Sequence, residues 1–154
     1  DYIIDWKVAG SPEGHQMNIY LPRGIAAGSA DSCLLTVNFF MGSEQSQLHY
    51  RIRGLTDWLP MNKIEKIDPY YQILKDRWNN FEKLGLMDQW ESDSTLAQLP
   101  PPGTNIPRPR PSSHIWESEI GTDWPTGRHV VEIRARDRYG RTFYETQMMR
   151  VTAD

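Results

Sequence analysis

Apolar and polar residues alternate along much of this chain, and a period of two marks a strand with one buried face. Tyr2, Ile4, Trp6 and Val8 alternate with Ile3, Asp5 and Lys7, which predicts a strand over 2–8. Gly10, Ser11, Pro12 and Gly14 then signal a loop. Gln16 to Leu21 predicts a second strand with Met17, Ile19 and Leu21 on one side, ended by Pro22 and Gly24. The small and polar stretch 24–32 reads as a flexible connection. Leu34 to Met41 is the strongest strand signal, β-branched and aromatic, with Gly42-Ser43 as a turn after it. Ser46 to Ile52 sends Leu48, Tyr50 and Ile52 inward and His49 and Arg51 outward, and it is expected to form a hairpin with the strand before it. A shorter strand is expected around Trp58, over 56–61.

The period then changes. Asp68 suits a helix cap and Pro69 a first helical turn. Tyr70, Ile73, Leu74, Trp78, Phe81 and Leu84 recur at helical spacing, and Gly85 suits the stop. They predict an amphipathic helix of about four turns. Beyond it 88–93 is polar and acidic, and Pro100, Pro101, Pro102, Pro107, Pro109 and Pro111 predict a stiff, extended return with polyproline character.

Strands resume at His114 to Glu119. His129 to Asp137 alternates Val131, Ile133 and Ala135 with Glu132, Arg134 and Arg136, and 137–140 supplies the turn. The return strand, 141–151, carries Met148 and Met149 side by side, which predicts a bulge. About seven or eight short strands with turns between them predict a single mainly-β domain. The expected fold is an immunoglobulin-like antiparallel β-sandwich with a helical and proline-rich insertion at about 62–112.

Composition narrows the chemistry. The 154 residues suffice for one domain with its own core, and six Trp and seven Tyr add large buried area. The net charge of −3 carries no long run of one sign. Arg134, Arg136, Arg138 and Arg141 cluster near one hairpin, but Glu132 and Asp137 interleave with them, so no nucleic-acid partner is expected. Cys33 is the single cysteine, so an internal disulfide and a thiolate metal site are both excluded. No apolar run reaches membrane-spanning length. Asp1 opens the chain in place of Met, and the expectation is a processed or excised piece whose working part lies upstream.

His15, His49, His114 and His129 show no ligand spacing, and no phosphate loop, nucleophile elbow or dinucleotide fingerprint is present. Catalytic residues, metal ligands and cofactors are therefore expected to be absent from this chain. Asp88, Glu91 and Asp93 offer oxygens to a hard cation but lack the glycine and closing glutamate of a dedicated loop. The run 107–111, Pro-Arg-Pro-Arg-Pro, resembles a groove ligand in composition and reads more simply as a rigid return path. The aromatic residues Trp58, Tyr71, Trp90, Trp116 and Trp124 are the candidates for an interdomain or ligand-contact surface.

Several segments, taken in order, resemble the C-terminal domain of calcineurin-like phosphoesterases. They are Trp6-Lys7 through Gly10, 16–22 (Gln-Met-Asn-Ile-Tyr-Leu-Pro), and Val37-Asn38-Phe39-Phe40 with Gly42-Ser43-Glu44. Trp58-Leu59-Pro60-Met61, Asp68-Pro69-Tyr70-Tyr71, Ser113-His114-Ile115-Trp116, and 127–141 from Gly127-Arg128-His129 to Asp137-Arg138-Tyr139-Gly140-Arg141 complete the set. The resemblance implies an accessory domain that follows a metal-dependent phosphoesterase domain. In that fold two close metals activate a water for attack on phosphorus. Its catalytic signatures, an Asp-x-His, a Gly-Asp pair, a Gly-Asn-His-Asp/Glu run and a Gly-His-x-His, do not occur here. The resemblance therefore implies a dinuclear metal site only in the upstream catalytic domain, which is the expected partner in cis. It also leans toward a bacterial envelope protein, periplasmic, cell-surface or secreted.

Three functions follow as alternatives. One is an accessory domain that packs on or shapes the catalytic domain. Another is a carbohydrate-binding or protein-interaction module, which needs exposed, roughly coplanar aromatics. The last is a free-standing metal enzyme built on the histidines and the acidic loop.

Overall fold

The computed structural model describes residues 5–6, 8–27, 33–83, 85, 107–121 and 123–153. The chain divides into two compact units, one of Asp1–Glu65 with Ser113–Asp154 and one of Lys66–Ser112. The described strands are β1 (Met17–Tyr20), β2 (Gly24–Ala26), β3 (Cys33–Phe39), β4 (Gln47–Ile52), β5 (Leu59–Pro60), β6 (Asn62–Ile67), β7 (Pro111–Ile120), β8 (Gly127–Arg136) and β9 (Thr142–Thr152). They form a four-stranded sheet in the order β1-β3-β7-β6 and a five-stranded sheet in the order β2-β9-β8-β4-β5.

The two sheets share one apolar core, as a β-sandwich requires. Cys33, Leu35, Val37 and Phe39 of β3 meet Leu48, Tyr50 and Ile52 of β4, Val131, Ile133 and Ala135 of β8, and Met149 and Val151 of β9. Each set sits at alternate positions, so strand geometry alone sends it to one face. Phe39 anchors the middle, with Trp116 edge-on at 6.2 Å between ring centroids and Phe143 tilted against it at 5.6 Å. Burial pushes the Cys33 thiol above its ordinary pKa, as expected of a core residue rather than a nucleophile.

The expected hairpin between β3 and β4 does not form, because the two strands belong to different sheets. The chain crosses between sheets at a tight turn in which the Gly42 amide donates to Phe39 O at 2.8 Å. Ser43 and Ser46 then close the connection, Ser46 Oγ accepting from the Ser43 amide at 3.0 Å. The crossover buries both strands against one core, which a flat hairpin would not.

Other expectations also change. Asp5, Trp6 and Val8, the described residues of the expected first strand, lie in no strand, and Trp6 is 65% exposed. The connection expected after Gly24 contains β2, which pairs parallel with β9 from Gly24↔Arg150 to Ala26↔Thr152. Strand β5 is only two residues long, with Pro60 at the sheet edge where a missing amide is tolerated. Strand β6 carries no clean alternation and was not expected.

No bulge interrupts β9. Its pairing with β8 runs unbroken from Gly127↔Val151 to Arg136↔Thr142. Met148 points to solvent at 64% exposure and Met149 into the core at 1%, the ordinary consequence of adjacent positions on a pleated strand. The inner face of β9 simply includes Glu145 and Gln147, which disguised its period.

In the second unit, α1 (Pro69–Lys83) starts where expected. Asp68 Oδ1 accepts from the Tyr70 amide at 2.9 Å, a helix cap. The half-buried stripe runs through Tyr71, Leu74 and Trp78, whereas Tyr70 and Ile73 are exposed. The Phe81 side chain, Leu84, most of the proline segment and the acidic stretch lie outside the described residues.

Candidate functional site

The aromatic candidates do not gather at one place. Trp116 and Trp124 are buried, at 2% and 9% exposure, and Trp124 stacks edge-on with His129 at 5.4 Å. Trp58 is half-buried on the outer side of the five-stranded sheet, with the Arg51 and Arg134 guanidiniums each 4.6 Å from its ring. Tyr71 is half-buried on α1 and its hydroxyl donates to Pro107 O at 3.1 Å. Trp90 lies outside the described residues. Among the described tryptophans Trp6 alone is exposed.

Trp6 marks a feature that alternation concealed. Its backbone is tied down: Gln16 Nε2 donates to Trp6 O at 2.9 Å, and the preceding Asp5 accepts from Arg141 Nη1 at 2.5 Å. Its ring, in contrast, stands in solvent over a groove of about 160 Å³ lined by Phe40, Met41, Gly42, His114, Arg138 and Tyr139.

The 137–141 turn forms the rim beside it. Asp137 is 3% exposed, and its Oδ1 accepts from the Tyr139 and Arg141 amides, both at 2.9 Å. Its Oδ2 accepts from Arg141 Nε at 2.7 Å. Gly140, at φ +83°, closes the turn in a conformation that side-chain-bearing residues rarely adopt. The Asp5 and Asp137 carboxylates both raise the already high pKa of Arg141, whose guanidinium bridges the hairpin and the chain before β1.

The outer face of the five-stranded sheet has a different character. Across β4, β8 and β9 one row reads Gln47, Arg136, Thr142 and the next His49, Arg134, Tyr144. A third reads Arg51, Glu132, Thr146. Arg53 Nη2 and Arg51 Nε both bind Glu132, and these hydrogen bonds, Arg53's first, hold its carboxyl below the usual carboxylate range. Burial, with the Arg134 charge added to it, lowers the His49 pKa.

Among the described residues no three His, Cys, Asp or Glu side chains form a group able to hold a metal ion. His15 packs edge-on against Phe40 at 5.6 Å, His114 lines the Trp6 groove, and His129 Nε2 lies 2.6 Å from Pro125 O. Asp88, Glu91 and Asp93 lie outside the described residues. Among the described residues no helix is long and apolar enough to cross a membrane.

The family model for the C terminal of calcineurin-like phosphoesterase matches residues 1–143. No curated protein matches the chain.

Proposed function

The chain belongs to the family of C-terminal domains of calcineurin-like phosphoesterases, and we propose that it is a non-catalytic accessory domain that packs on the phosphoesterase domain in cis. The observation that carries this reading is the Trp6 groove. Trp6 at 65% exposure and Tyr139 at 36% leave apolar surface in water at that groove. Two domains of one chain keep a fixed orientation where the interface between them is large and apolar. The chemistry then resides in the partner: a dinuclear metal in the phosphoesterase domain supplies the activated water, and this chain braces that domain or walls one side of its cleft.

Phosphatase assays with added divalent metal should give turnover for the phosphoesterase domain, alone or joined to this chain, and none for this chain alone. Metal-dependent turnover by this chain alone would overturn the reading.

A further inference from the structure

From the cationic outer face of the five-stranded sheet we infer that the chain carries a binding site for the phosphate group of a small organic phosphate monoester, held between Arg134 and Arg136 and flanked by Tyr144. This goes beyond the docking role and does not depend on it. Gln47, His49, Arg134, Arg136, Gly140, Thr142 and Tyr144 line a cleft of about 470 Å³ there.

The sheet register builds the site. Arg134 and Arg136 occupy alternate positions of β8 and so project from the same face, about 7 Å apart along the strand. Gln47 and Thr142 stand on either side of Arg136, and His49 and Tyr144 on either side of Arg134. Neighbouring strands are about 4.8 Å apart, so the six side chains surround an area the size of one oxyanion and the ring beside it.

The interleaved acids are already engaged. Glu132 is held by Arg51 and Arg53, and Asp137 is buried under Arg141. Arg134 and Arg136 have no carboxylate partner among the described residues. Neither cation floats freely, however. Trp58 holds the Arg134 guanidinium at 4.6 Å, and the Arg136 guanidinium lies against Gly140. A held guanidinium loses less entropy when it binds an anion.

The donors choose phosphate over carboxylate. Two five-donor guanidiniums, the Gln47 amide, the Thr142 and Tyr144 hydroxyls and the His49 ring offer more donors than two carboxylate oxygens can accept. A phosphate monoester presents three terminal oxygens and nearly two charges. Tyr144, 64% exposed, gives the organic portion a flat wall.

Calorimetric titration of the full chain with phenyl phosphate, inorganic phosphate and phenol tests the site. Phenyl phosphate should bind saturably at one site, more tightly than inorganic phosphate, and phenol should not bind. Arg136→Gln should weaken phenyl phosphate about tenfold or more, while Arg128→Gln, on the same strand but distant along it, should leave it unchanged. Tyr144→Ala should bring phenyl phosphate down to the affinity of inorganic phosphate. Equal losses from Arg128→Gln and Arg136→Gln would mean diffuse charge attraction and would overturn the assignment. So would absence of binding at millimolar ligand, or a preference for a single-stranded oligonucleotide over phenyl phosphate.

Discussion

Gly42 lies directly beneath Trp116. A Cβ at Gly42 would come within 2.6 Å of the Trp116 ring and 2.7 Å of the Phe39 carbonyl oxygen. The turn that carries the chain from one sheet to the other is therefore shaped around the largest side chain of the core. Trp116 cannot withdraw, because it also packs on Phe39 and lies 5.8 Å from the Lys63 ammonium. Gly42→Ala should destabilise the chain by about 1–3 kcal/mol through overpacking. Urea unfolding with an unchanged slope and a lower midpoint would show it, and a midpoint equal to the native one would mean the turn relaxes freely.

Asp137 organises the β8–β9 turn through three hydrogen bonds to residues 139 and 141. Removing its carboxylate leaves two amides and the Arg141 Nε without their acceptor. Asp137→Ala should cost about 1–3 kcal/mol. The local signature is faster hydrogen exchange at the Tyr139 and Arg141 amides. Asp137→Asn should recover part of the loss, because its carbonyl oxygen still accepts from both amides.

His49 should introduce a pH dependence of stability. Its pKa is lowered from 6.5, first by burial and then by Arg134. The unfolded chain therefore binds the proton more readily than the folded one. The stability tied to a neutral His49 is fully present above pH 6.5 and is lost as pH falls through the lower folded value. His49→Gln should flatten that portion of the stability profile. Arg134→Gln should move the His49 titration, followed by NMR, back upward; a titration unmoved by that change would assign the whole shift to burial.

How much of this was legible in the sequence depended on whether the period survived. Strand β8 reads cleanly because Val131, Ile133 and Ala135, all fully buried, alternate with polar residues. Strand β9 has the same geometry, yet Glu145 and Gln147 occupy inner positions and Met148 an outer one, which imitates a bulge. Strand β2 is too short and small in its side chains to announce itself; its pairing with β9 decides it. The separation of β3 from β4 goes with the close approach of Gly42 to Trp116, which no local pattern encodes. The family resemblance was legible because its segments recur in order, and the family match over residues 1–143 agrees with it. The Trp6 groove was hidden by the alternation of 2–8, which reads as a strand, whereas Trp6 is held by a bond from Gln16 to its carbonyl and Asp5 by one from Arg141. The cleft beside Arg134 and Arg136 was hidden because Glu132 reads as their counter-ion until its partners Arg51 and Arg53 are known.

Differential scanning calorimetry of the parent polypeptide, set against this chain and the phosphoesterase domain measured separately, tests the accessory role most directly. Docking through the Trp6 groove predicts that the joined polypeptide unfolds at a higher temperature than either piece, and that Trp6→Ala lowers that temperature while leaving this chain alone almost unaffected. Two transitions in the joined polypeptide, each at the temperature of its separate piece and indifferent to Trp6→Ala, would contradict it.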